Sequence, residues 1–231
     1  MQEHALLKLI GQVNYPWAPL FYSRAGEIAE RIKDRFSEAS ATLAKWSMRD
    51  VAGRHVCTFE PHVGWVAWEG SVDEAAFGGQ FVDLWRTLRE YLKLEKATRV
   101  AYRAMVLWPT TTFDEALSLV QSSFCSASWR GDLDPPHDML FVLEYADPGV
   151  DYGARIRVAP IRRSEFTDKH AGLLSFPEAV TAECGCFADI DVWTAPKGAD
   201  MQHELAALRG QVRERISAVA RILGQGAVSG D

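Results

Sequence analysis

The hydrophobic period of this chain switches repeatedly between two and about 3.6 residues, a pattern that only strands alternating with helices packed on them can satisfy. Ile28, Ile32, Phe36, Ala39, Leu43 and Trp46 fall at helical spacing, which predicts a helix over 25–46. Residues 13–23 are apolar but carry Pro16 and Pro19, so they read as an edge strand or an irregular extended segment. Residues 53–60 and 63–70 are β-rich and separated by Pro61-His62, the pattern of a hairpin. Ser71, followed by Asp73 and Glu74, heads a second helix with the stripe Phe77, Phe81, Leu84, Trp85, Leu88 and Leu92. Residues 98–108 then read as a strand stopped by Pro109.

Beyond residue 110 the pattern begins with a short helix at 113–122, opened by Thr112 and Asp114. A strand is expected at 125–131 and a continuous apolar one, hence central, at 139–146. Residues 152–161 and 186–194 alternate, and 200–223 show the clearest helical stripe, from Met201 through Leu208 to Leu223. These readings predict an α+β chain of two sheet-and-helix halves. The first half, 1–110, has the ferredoxin-like order β-α-β-β-α-β. The second, 111–223, has antiparallel strands followed by a long C-terminal helix, and residues 224–231 form a flexible tail.

Composition narrows the class. Of 231 residues, 48% are hydrophobic and 24% charged, the balance of a globular chain rather than a disordered one. The net charge of −6 gives no overall attraction to nucleic acid or to an anionic bilayer. No apolar run approaches the roughly 18–20 residues of a membrane span, and the opening MQEHALLKLIGQ has no signal-peptide character. A cytoplasmic chain without membrane partners is expected, with Cys57, Cys125, Cys184 and Cys186 as reduced thiols. Cys184-Gly185-Cys186 lacks the spacing and second knuckle of a zinc site, although those two thiols with a histidine are the sharper alternative.

The motifs of catalysis are missing. No G-x-S-x-G elbow, H-E-x-x-H helix or phosphate-cradling glycine loop occurs, and Gly78-Gly79 lies inside a helical pattern. The six histidines fall in separate segments. No catalytic residue, metal site or cofactor is therefore assigned. What remains is charge at strand spacing. Arg155 and Arg157 share one face of their strand, as do Asp189 and Asp191, with Ile156, Val158, Ile190 and Val192 turned to the core. With Arg162 and Arg163 they form the candidate binding residues, in a basic segment that runs on to Lys169. Two alternatives use overlapping residues. Arg99, Arg103 and Trp65, with Trp68 and Tyr102 as further stacking partners, could bind nucleic acid. Asp189/Asp191 or Asp132/Asp134 could hold the metal of a metal-dependent enzyme.

Three stretches also resemble a known group. They are Val63 to Tyr91, with Gly64-Trp65-Val66 and Phe81-Val82-Asp83-Leu84; the strand Thr98-Arg99-Val100-Ala101-Tyr102-Arg103; and Asp189-Ile190-Asp191-Val192 with a last helix beginning near His203. Together they resemble a sporadically distributed, functionally uncharacterised family of bacterial α+β proteins. The resemblance implies patchily distributed accessory genes, such as those of anti-phage defence, and carries no catalytic residue. The expected function is a non-enzymatic interaction protein that binds itself or another protein, a class in which eight tryptophans are at home.

Overall fold

A computed structural model describes residues 4–50, 54–70, 73–125, 137–145, 152–165, 180–196 and 200–226. The chain is α+β. Among these residues nine strands form one antiparallel sheet: β1 Ala5–Asn14, β2 Glu38–Thr42, β3 Lys45–Arg49, β4 His55–Glu60, β5 Val63–Glu69, β6 Arg99–Pro109, β7 Phe141–Tyr145, β8 Gly153–Arg162 and β9 Cys184–Thr194. Across the sheet the order is β2-β3-β4-β5-β1-β6-β9-β8-β7. The expected halves meet where β6 pairs β9, and they share one sheet and one main core.

Four longer helices, α1 Phe21–Ile32, α2 Glu74–Leu92, α3 Phe113–Phe124 and α4 Met201–Gly226, contribute buried residues to that core. Alternation places Leu9 and Val13 of β1, Val100, Tyr102, Ala104 and Val106 of β6, and Ala188, Ile190 and Val192 of β9 beneath them. Gly11 lets α2 approach: a Cβ there would stand 2.7 Å from the Phe81 ring. Asp73 caps α2, accepting from the Ala75 and Ala76 amides at 2.9 and 3.2 Å. Lys93 ends it in a left-handed conformation, φ 55°. Thr112 caps α3 by accepting from the Glu115 amide, while Glu115 accepts from the Thr111 amide.

Several expectations are corrected. The helix expected over 25–46 stops at Ile32, passes through a 3-10 turn at Lys33–Arg35, and gives way to the β2–β3 hairpin. Trp46 and Met48 are inward by strand alternation, opposite Phe59 and Cys57, so the helical spacing of Phe36, Ala39, Leu43 and Trp46 was coincidental. The strand near the N-terminus is β1, ending at Asn14 before Pro16, and it lies inside the sheet. The α2 cap is Asp73, not Ser71. The apolar run 139–146 supplies the edge strand β7, three of whose five residues are exposed, instead of a central strand. Helix α4 runs on through Gly224 to Gly226, so the tail does not begin at 224. The strand expected at 125–131, Asp132/Asp134 and Lys169 lie outside the described residues apart from Cys125.

Candidate functional site

The sheet's other face carries none of the four helices. One part of it is apolar: Leu7, Ile10, Ala67, Met105, Leu107, Ile161 and Phe187, with Trp65, Val180 and Ala182 against them. Beside this patch the same alternation that sends Ile156, Val158, Ile190 and Val192 inward turns the charged side chains outward. Register then brings opposite charges together. Arg155 stands across from Asp191, and Arg157 across from Asp189. Arg103 of β6 also stands across from Asp191, and Glu144 of β7 across from Arg155.

The ion pairs do not all follow those rungs. Arg103 reaches diagonally to Asp189 and grips it with both ends of its guanidinium, Nε to Oδ1 at 2.5 Å and Nη2 to Oδ2 at 2.6 Å. Diagonal neighbours on a sheet are within reach of long side chains. Arg157 approaches the same carboxylate from the far side at 3.6 Å. Asp191 accepts from Arg99 at 3.1 Å, and the Arg99 guanidinium lies 5.0 Å from the centre of the Trp193 ring. Arg155 turns to Glu144, with bonds of 3.0 and 3.2 Å. Farther along the face Lys8 and Glu69 form a buried pair at 3.1 Å.

Burial grades this network. Asp189 is 6% exposed, whereas the Arg155 and Arg157 side chains are 40% and 41% exposed. Burial pushes the Asp191 carboxyl above its ordinary range, against the pull of Arg99 and Arg103. Burial works to lower Arg103, yet the bonds and charge of Asp189 outweigh it and hold the guanidinium more firmly protonated. Burial pulls Lys8 down, only partly offset by Glu69. Such a network is expensive to leave half made, because a buried charge that loses its partner keeps its desolvation penalty.

Of the sequence-derived candidates, Arg155, Arg157, Asp189 and Asp191 are therefore together, and Arg99, Arg103 and Trp65 share their face. Arg162 is not with them: it lies on the helix side, 3.4 Å from the centre of the Phe113 ring and 2.6 Å from Glu165. Arg163 donates to the Val180 carbonyl at 2.7 Å. The basic segment is split because Arg162 has the opposite strand parity and Arg163 follows the strand's end. The stacking platform is split too. Trp68 lies on the helix side, donating to Gln80, and Tyr102 packs edge-on to Phe77.

The paired aspartates are engaged by guanidiniums, and no group of three or more His, Cys, Asp or Glu suited to a metal occurs among the described residues. The Cys184 and Cys186 thiols approach the Thr110 and Ala116 carbonyls at 3.6 Å. Sequence reasoning missed Lys8, Glu69 and Glu144. The lysine inside the apolar run ALLKLIGQVN was a readable signal, since a strand turns every second residue to one face.

No family model matches the chain, and no curated protein matches it either. No helix among the described residues is long and apolar enough to cross a membrane.

Proposed function

We propose that this chain is a non-enzymatic interaction protein that docks a protein partner, another chain or a second copy of itself, on the outer part of the charged sheet face. The observation that carries the reading is the juxtaposition at β7. Arg155, Arg157 and Glu144 stand partly exposed beside an edge strand, and Val142, across from Arg157, and Leu140, just before the strand, are 50% and 61% exposed. An apolar centre within a charged rim is the ordinary anatomy of a protein interface. Among the described residues the outer edge of β7 pairs with no other strand, so it can also accept an extended segment. A place in a bacterial accessory or defence system rests on the resemblance alone. The order β4-β5-β1-β6, with α1 and α2 in the connections, supports reading the first half as a ferredoxin-like unit carrying the β2–β3 hairpin as an insertion.

Nucleic acid is the weaker reading, because Arg99, Arg103, Arg155 and Arg157 each have a carboxylate within 3.6 Å that a phosphate would have to displace. The double variant Arg155→Glu, Arg157→Glu tests the proposal. Sedimentation of the purified protein, and capture from cells that naturally contain it, should show lost self-association or a lost partner. The circular dichroism spectrum and melting temperature should stay close to the parent's. Unchanged association overturns the proposal, and salt-sensitive binding of a labelled oligonucleotide moves the function to the nucleic-acid reading.

A further inference from the structure

A second site lies on the opposite side of the sheet, in a cleft of about 410 Å³ between α2 and α4. Its α2 wall is made of Ala75, Gly78, Gly79 and Val82, and its α4 wall of Leu205, Ala206 and Arg209. Two adjacent glycines inside a helix cost about 1 kcal/mol each relative to alanine. Backbone geometry does not require them here, since neither has a positive φ. Crowding does not require them either. A Cβ on Gly78 would meet only Leu205 Cδ2 at 3.5 Å, and one on Gly79 would meet nothing within 4 Å. What the glycines leave is a flat, open wall.

At the floor is Tyr102, only 2% exposed. Its hydroxyl is buried and has no hydrogen-bond partner among the described residues. A buried polar group without a partner is uncommon in a folded chain and calls for an explanation. At one end of the cleft Glu74 sits between two guanidiniums, Arg213 at 2.7 Å and Arg209 at 3.6 Å. One carboxylate neutralises only one of them. The other acid of the lining, Asp83, is engaged by Arg35 and Arg86.

We propose that this cleft binds a small planar carboxylic acid, its flat body against Gly78 and Gly79 and its carboxylate meeting the Tyr102 hydroxyl and Arg209. The volume falls within the usual range for small-molecule sites, roughly 300–1,000 Å³. The flat glycine wall favours a planar body, the orphan hydroxyl calls for an acceptor, and the second guanidinium calls for a negative charge. Burial holds the Tyr102 phenol in its neutral, donating form well above the usual range, so the hydroxyl gives a proton to the bond and does not repel the acid. The site is separate from the charged sheet face, and neither reading depends on the other.

The probes are benzoate, a flat ring, and sorbate, a flat chain, followed by amide chemical shifts of the isotope-labelled full chain. Saturable shifts at Gly78, Gly79 and Leu205 are expected for at least one acid. Benzyl alcohol, lacking the charge, should bind more weakly by about tenfold or more, as should both acids to Tyr102→Phe. Gly79→Leu fills the cleft from a position with open space around its Cβ, so it should fold and lose the binding. Failure of both acids to produce saturable shifts there overturns the proposal. So does equal affinity for Tyr102→Phe, or retained affinity in folded Gly79→Leu.

Discussion

The Arg103 guanidinium and the Asp189 carboxylate, 86 residues apart in sequence, meet in a two-pronged bond of 2.5 and 2.6 Å that ties β6 to β9. Asp189 is almost fully buried. Removing one partner leaves the other charged and poorly solvated, so Arg103→Met and Asp189→Leu should each destabilise by about 3–5 kcal/mol. The double variant Arg103→Met, Asp189→Leu should recover most of that loss, because a well-packed apolar pair avoids the desolvation altogether. Urea unfolding of the four proteins gives the coupling, and additive losses would refute it.

Leu208 is fully buried on α4 within the main core. Leu208→Ala should lower stability by about 2–5 kcal/mol. An unmoved denaturation midpoint would mean that α4 detaches without loss to the sheet.

Two glycines should behave in opposite ways. A Cβ at Gly185 would stand 2.4 Å from the Trp108 carbonyl oxygen, an atom of the backbone, so Gly185→Ala should destabilise strongly. Gly79→Ala meets open space and gains helix propensity, and should stabilise by about 1 kcal/mol. Thermal melts of the two variants check the contrast.

Burial pushes the Cys57 and Cys186 thiols up to about 12 from an ordinary 9.0. Between those values the unfolded chain releases protons that the folded chain keeps, so stability should fall as pH rises from 9 towards 12. Each thiol contributes a slope of about 1.4 kcal/mol per pH unit. Denaturant titrations at pH 8, 9 and 10 should show the decline, shallower in Cys57→Ala. In the native state near neutral pH a thiol reagent should modify the half-buried Cys125 before Cys57 or Cys186.

Legibility followed the strength of local signals. Strands β4, β5, β6, β8 and β9 and helices α2, α3 and α4 were readable because hydrophobic period and turn residues agreed. The β2–β3 hairpin was not, because Phe36, Ala39, Leu43 and Trp46 fell at helical spacing by coincidence, and only the pairing of Trp46 with Phe59 and Met48 with Cys57 reveals the strand. The edge position of β7 was hidden for a different reason: an apolar run looks the same whether a second strand covers it or not. Within the charged face, the period of two placed Arg155, Arg157, Asp189 and Asp191 on one surface. It could not give the partners, since Arg103 takes Asp189 diagonally and Glu144 takes Arg155. Those choices depend on side-chain reach after the sheet has assembled.

Strand β1 comes first in the chain, yet it lies between β5 and β6, and β9 lies between β6 and β8. Synthesis order and spatial order therefore disagree at the middle of the sheet. As the chain leaves the ribosome, β1 has one neighbour available after residue 69 and its second only after residue 109. The far edge of β6 stays bare until residues 184–194 have emerged. Residues as far as 194 must exist before the central rows of hydrogen bonds close, and such long-range pairing makes folding slow and the partly made sheet prone to aggregation.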